Sequence, residues 1–270
     1  MPEGDTIYRA ARTLNAALAG RVITRFETVF PKLTRVDIET PLAGRTIDRV
    51  VSAGKNLIME FSGDLHLLTH MRMHGSWHIY RPGERWRKRF SDMRIILETS
   101  EYVAVAFNVP VAEFHDAGSL ARQDDLRHIG PDFLGEEFDS AEALRRIRAK
   151  NNDEIAEVLL NQRVAAGIGN EYKSEILFIC RVNPFTRASA LDDETLDHLL
   201  RVSRKLMLAN VNKRTQGRET TFSLDKSQKV YVYGRGGKPC RRCGTPIEFA
   251  RQGPYARVTY WCPKCQHPLQ

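Results

Sequence analysis

The sequence predicts a mixed α+β protein: an N-terminal antiparallel β-sandwich entered through one helix, a helical second half, and a small β unit built on four cysteines. Three observations carry this expectation. Short apolar runs rich in β-branched residues fill positions 21 to about 115, helical spacing takes over near 141, and two C-x2-C pairs lie beyond 239.

Residues 6 to 19, TIYRAARTLNAALA, place Ile7, Ala10 or Ala11, Leu14 and Leu18 at helical spacing, and Gly20 follows as a stop. The runs RVITRFETVF, TIDRVVSAG, NLIMEF, HLLTHM, GSWHIY, MRIILET and YVAVAF read as strands because Gly, Pro and Asp punctuate them. DAGSLARQDDLRHIGPDFLGEEFDS (116 to 140) carries charge, Gly and Pro with little periodicity, which predicts a linker. AEALRRIRAK, IAEVLLNQ, NEYKSEILFIC and ETLDHLLRVSRKLMLANV then read as helices. The expected division is a sandwich domain over 1–120, a linker over 121–140, a helical domain over 141–225 and a cysteine-bearing module over 226–270.

With 270 residues and 42% hydrophobic content, the chain has the material for real cores and none of the bias of a disordered one. Lys and Arg number 41 against 33 Asp and Glu, a formal charge of +8, which favours a polyanionic partner. RPGERWRKRF (81 to 90) and NKRTQGRE (212 to 219) are basic stretches set far apart, as a long phosphate-lined groove would need, although such runs alone are commonly solvated loops. No run reaches 18 apolar residues and no signal-peptide pattern begins the sequence, so the expectation is a cytoplasmic protein with no membrane association. Of five cysteines, Cys180 stands alone in EILFIC and reads as a small buried hydrophobe.

The other four form CRRC (240 to 243) and CPKC (262 to 265). In a reducing compartment this spacing is that of a zinc ribbon, with Cys240, Cys243, Cys262 and Cys265 as four thiolate ligands. Four protein ligands leave no open position, so the single Zn2+ is structural, holding RQGPYARVTYW as a hairpin. Arg251, Arg257, Tyr255 and Tyr260 on it suit phosphate and base contacts. In LLNQRVAAGIGNEYKSEILF (159 to 178) a glycine turn joins two helices, and Asn170 is placed to cap the second. Lys55, in SAGKNLIMEF, is either a solvated edge charge or a phosphate ligand. HMRMHG (70 to 75) offers Arg72, Met73 and His74 between two strands, as packing or as a wedge into a base stack.

Pro2 and Glu3 precede the first helix. The ordinary reading has Pro at the first helical position and Glu favouring the helix dipole. The chemical reading follows if Met1 is trimmed. A terminal amine titrates near 7.7 to 8.0, against about 10.4 for lysine, so it is the better nucleophile at neutral pH. Such an amine can attack an aldehyde-like sugar carbon while a neighbouring carboxylic acid moves protons.

MPEGD, the lysine of SAGKN, QRVAAGIGNEYKSEILF, VYGRGGKPC and ARVTYWCPKCQ, in this order, resemble the formamidopyrimidine and endonuclease VIII family of DNA glycosylases across essentially the whole chain. The resemblance implies a helix-two-turn-helix in the helical domain, and a bifunctional base-excision-repair glycosylase and AP lyase that extrudes a damaged base. It implies Pro2 as the nucleophile on C1′, Glu3 as general acid/base, and Lys55, Asn170 and Arg257 as phosphate contacts. Schiff-base formation, β-elimination and δ-elimination are the implied steps. The expected partner is damaged DNA, bound by a monomer in a bacterial cytoplasm. One departure sets the expected lesion class. The 8-oxoguanine branch carries Asp-Pro-Arg-Arg-Phe where this chain has AFNVPVAEF (106 to 114), and HMRMHG resembles instead the endonuclease VIII loop, so Arg72, Met73 and His74 are expected to fill the void. That favours oxidised pyrimidines and abasic sites. The alternatives are an 8-oxoguanine or formamidopyrimidine glycosylase, or a non-catalytic damage-binding protein of the same fold.

Overall fold

Ile7, Ala11, Leu14 and Leu18 recur at helical spacing and are all buried, so the first helix, α1 (Gly4–Leu18), presents one apolar face to a core. In the computed structural model, residues 2–212, 217–221, 223, 225 and 227–267 are described. Two compact units divide between His128 and Ile129.

In the first unit, α1 is followed by β1 (Ile23–Thr28), α2 (Pro31–Glu39), β2 (Ile47–Ala53), β3 (Asn56–Phe61), β4 (Leu65–His70), β5 (Ser76–Tyr80), β6 (Met93–Thr99), β7 (Val103–Phe107) and β8 (Val111–His115). They form two four-stranded antiparallel sheets, β1-β6-β7-β5 and β2-β3-β4-β8. Period-two alternation sends Leu57, Met59 and Phe61 from β3, and Ile95 and Leu97 from β6, into one core shared with α1. α2 was not expected from the sequence. Its Pro31 stands at the helix start, and a single buried residue, Leu33, gives it too little apolar periodicity to stand out.

Two further boundaries differ from expectation. Helix α1 begins at Gly4, so Pro2 lies outside it and Glu3 takes the N-cap position. The segment 121–140, expected as a linker, is not plain coil. It holds the end of α3 (Ala117–Arg122), then α4 (Asp124–Arg127), and beyond them buried Phe133 and Leu134. The Asp116 carboxylate caps α3 by accepting the Ser119 N–H at 2.6 Å, a signal masked by the charge around it.

The second unit contains α5 (Ser140–Arg148), α6 (Ile155–Leu160), α7 (Asn170–Ile179) and α8 (Asp193–Val211), then the hairpin β9 (Glu248–Gln252) and β10 (Arg257–Trp261). Asp139 and Asp192 cap α5 and α8 with their carboxylates. Cys180, expected to be buried, is half-buried, and burial still pushes its thiol up to about 12.

Because α1 is held by its apolar face, Leu14→Ala should cost about 2–5 kcal/mol in denaturant unfolding. A loss below about 1 kcal/mol would mean that α1 is not an integral part of this core.

Candidate active site and nucleic-acid surface

The position of the first turn of α1 is set by its far end. Asn15 accepts the Val50 N–H on its side-chain oxygen at 2.8 Å, and the Gly20 N–H donates to Ile47 O at 2.8 Å. The helix therefore runs antiparallel to β2. From Asn15 back to Gly4 it rises about 16 Å, whereas β2 advances only about 10 Å from Val50 to Ala53. The first turn thus points toward the β2–β3 end of the sheet, where Gly54 adopts φ +58° and Lys55 follows. Lys55 sits in the turn itself; strand β3 starts one residue later.

Glu3 is completely buried, yet its carboxylate makes no capping bond to α1; its backbone carbonyl instead accepts from Thr6 and Ile7 at 2.9 and 3.1 Å. Pro2 is half-buried beside it.

The same end of the β2-β3-β4-β8 sheet carries the Arg72–His74 loop, because His70 pairs with Asn56 across β3 and β4. Gly75 closes the loop, donating to Met71 O at 2.8 Å, and a Cβ at Gly75 would collide with the Met71 backbone. Met71 is buried, whereas Arg72, Met73 and His74 are exposed, Met73 by 53%. Arg72 adopts φ +47° and donates its backbone N–H to His70 Nδ1 at 3.0 Å. Burial pushes the His70 imidazole down to about 4, and the nearby Arg72 and Lys55 cations push the same way. His70 is thus a neutral acceptor holding the loop, a role the sequence did not suggest.

In the second unit, one helix organises the hairpin. Asn170 was expected to cap α7, but the cap is Gly169, and the Asn170 amide donates to Val258 O on β10 at 2.8 Å. Lys173, fully buried, donates its Nζ to Thr259 Oγ1 at 2.6 Å; that hydroxyl donates to Gln252 Oε1 at 2.6 Å, and Gln252 Nε2 reaches Glu154 at 2.6 Å. Glu175, also buried, accepts the backbone N–H groups of Tyr231, Val232 and Tyr233 at 2.7 to 2.8 Å and the Thr220 hydroxyl. Arg218 pairs with Glu171 at 2.7 Å and lies over the Tyr172 ring. Such buried charges are tolerated because they are bonded.

The hairpin tip is exposed. Tyr255 is 81% accessible and Arg251 and Arg257 face solvent, while Tyr260 packs against Phe249 and Tyr233. At Gly253, φ +69° favours glycine, and a Cβ there would also displace the Glu157 carboxylate of α6. Burial raises the Glu157 carboxyl, with Lys173 and Arg257 pulling it back. Of the basic stretch 212–219, Lys213 to Gln216 lie outside the described residues, as do Phe222, Leu224 and Lys226 of the 217–228 loop.

Cys240, Cys243, Cys262 and Cys265 place their Sγ atoms within 4.8 Å of one another, with pairs at 3.9 and 3.5 Å. Tetrahedral zinc with sulfur at 2.3 Å requires edges of about 3.8 Å, so the donor set fits one structural Zn2+. Gln266 accepts the Cys262 N–H at 2.9 Å and donates to Val182 O at 2.8 Å, and Phe178 of α7 packs beneath the cysteines.

A β-sandwich carrying a buried carboxylate beside its first helix, with a helical unit and a four-cysteine hairpin, defines the class of zinc-finger DNA glycosylases. The comparisons agree. Family profiles match the formamidopyrimidine-DNA glycosylase N-terminal domain over residues 1–116, its H2TH domain over 129–222, and the zinc finger found in FPG and IleRS over 237–268. A probable endonuclease 8 2 of Streptomyces coelicolor is 40% identical, covering 98% of this chain and 94% of that protein. The DNA-(apurinic or apyrimidinic site) lyase Nei2 of Mycolicibacterium smegmatis is 36% identical over 98% and 99%. Lactococcus lactis Fpg, solved with abasic-site DNA, shares the fold at TM-score 0.82 with 23% identity, covering 99% and 100% of the two chains. The chain belongs to the formamidopyrimidine-DNA glycosylase and endonuclease VIII family, on its endonuclease VIII-like branch.

Two predictions follow from this geometry. Cys262→Ser should lose zinc and DNA binding while the first unit stays folded; DNA binding that survives measured zinc loss would contradict a metal-held hairpin. For His70, the folded pKa of about 4 lies below the unfolded value of about 6.5, so the unfolded chain binds the proton first as pH falls. Stability should be level above about pH 6.5 and decline down to about 4, and His70→Asn should flatten that limb in pH-dependent denaturant unfolding. An unchanged limb would remove His70 as its cause.

Proposed function

We propose that this protein is a base-excision-repair DNA glycosylase and AP lyase that acts on oxidised pyrimidines and abasic sites. The observation that carries the reading is the completely buried Glu3 next to Pro2 at the start of α1. Relatives named endonuclease 8 and AP-site lyase support the reaction class.

Once Met1 is removed, the neutral Pro2 amine attacks C1′ of the damaged nucleotide. The C1′–N bond breaks with its electron pair going to the base, and Glu3 supplies the proton the base takes up. The C1′–O4′ bond then breaks with its electron pair going to O4′, which takes up the proton the Pro2 amine has lost, and an iminium is left on Pro2. Loss of a C2′ proton then expels the 3′ phosphate, a second elimination expels the 5′ phosphate, and a one-nucleotide gap results.

Lys55, Asn170 and Arg257 are assigned to phosphates flanking the lesion, and Arg72, Met73 and His74 to the space the extruded base leaves. The exposure of these three on a loop fixed by Met71 and Gly75 supports the wedge role. The absence of Asp-Pro-Arg-Arg-Phe in AFNVPVAEF supports oxidised pyrimidines over 8-oxoguanine. We assign the active form as a monomer in the bacterial cytoplasm.

Borohydride should trap a covalent adduct with an abasic-site duplex, and an N-terminal tag that blocks the Pro2 amine should abolish it. Glu3→Gln should slow excision of an oxidised pyrimidine by roughly 10²- to 10⁴-fold. No adduct from trimmed, zinc-loaded protein would sink the lyase assignment, and faster excision of 8-oxoguanine than of oxidised pyrimidines would reverse the lesion class.

A further inference from the structure

The β1-β6-β7-β5 sheet is buried on both faces. Ile95 and Leu97 point into the main core, while Ile96, Val103, Val105, Phe107, Tyr80 and Met93 form a second apolar cluster on the opposite face. The connection from β5 to β6, RPGERWRKRF, closes over that cluster. Its Trp86 stacks on Tyr80 at 6.3 Å and meets the Phe107 ring edge-on at 5.6 Å, and the Arg87 N–H donates to Tyr80 Oη at 3.1 Å.

The stack then continues outward. Phe90 lies parallel to Trp86, with centroids 5.7 Å apart and planes 6° apart, and is 68% exposed. A large apolar ring held rigidly in water forgoes the stabilisation of burial unless a partner covers it. Around it, residues 84–90 line a shallow groove of about 570 Å³. Arg85, Arg87 and Arg89 are exposed there and Lys88 is half-buried. The only acid of the segment, Glu84, is tied to the Arg81 N–H at 2.9 Å. Such positive charge disfavours an apolar protein partner and favours a polyanion with flat apolar groups.

The groove lies at the end of the sheet from which the Arg72–His74 loop departs. Asp92 O accepts the Asn108 N–H at 2.7 Å, and Phe107 pairs with both Met93 and Ser76. In duplex DNA the base faces are stacked away, so an aromatic platform can be used only by unpaired bases. We propose that the 81–90 connection is a second nucleic-acid surface that binds single-stranded DNA, with a base stacked on Phe90 and phosphates along Arg85, Arg87 and Arg89. It is independent of the Pro2 and Glu3 chemistry, and binding to undamaged DNA reads it without turnover.

The test is the affinity of the full-length, zinc-loaded protein for fluorescent oligothymidylate across a salt series. Phe90→Ala should weaken binding roughly 5- to 150-fold, the effect of losing one stacked base, and Phe90→Tyr should restore it. Replacing Arg85, Arg87 and Arg89 together by Ala should lower the salt slope by up to about 2, near 0.7 per lost phosphate contact. A 5-iodouracil-substituted strand should cross-link to the peptide holding Trp86 and Phe90. Unchanged affinity in Phe90→Ala, or cross-links confined to other peptides, would overturn the proposal. So would substitutions that spare oligothymidylate but abolish binding of a polyglutamate peptide, since the surface would then read acidic protein.

Discussion

The burial of one face of α1 is the contact on which the proposed chemistry depends. Ile7, Ala11, Leu14 and Leu18 are fixed in the sandwich core, and Asn15 ties the helix to the β2 backbone. A helix so held is a rigid rod, and its first turn inherits that rigidity. Pro2 and Glu3 are consequently presented by a packed element, where a free N-terminal segment would lose conformational entropy each time it engaged a substrate. The Glu3 carboxylate, buried without a capping role, is what such placement makes possible.

The second unit solves a different problem, that of fixing a short hairpin with little core of its own. Zinc ties the knuckles, but it does not set the direction of the strands. That falls to α7, where Asn170, Lys173 and Phe178 meet β10 and the cysteine cluster at successive helical turns. Glu175 adds three backbone N–H groups from the segment leading into the finger. Each of these groups would be costly to bury alone. Together they hold Arg257 and the exposed Tyr255 on a defined surface.

Much of this was legible in the sequence. The helix at the start, the runs that become strands, the four helices and the C-x2-C pairs all carry local periodicity or spacing, and the structure has them. What escaped notice depends on distant partners or on backbone conformations that no residue pattern announces. The role of Asn170 requires Val258, and that of His70 requires Arg72 in a left-handed turn; neither pairing has a local pattern. Helix α2 and the caps of α3 were hidden by weak apolar periodicity and dense charge. The basic run 81–90 suited either a phosphate-lined groove or a solvated loop, and its ring geometry has no sequence pattern of its own. Pro2 could be read as a first helical residue, but the helix begins two residues later, at Gly4.

The central claim is that the amine of Pro2, delivered by α1, is the atom that attacks the sugar. The most direct measurement is peptide mass spectrometry of the borohydride-reduced complex with abasic-site DNA. The account predicts the sugar remnant on the amine of a peptide that begins at Pro2. A remnant on Lys55 or any other lysine, or an adduct formed by protein that still carries Met1, would contradict it.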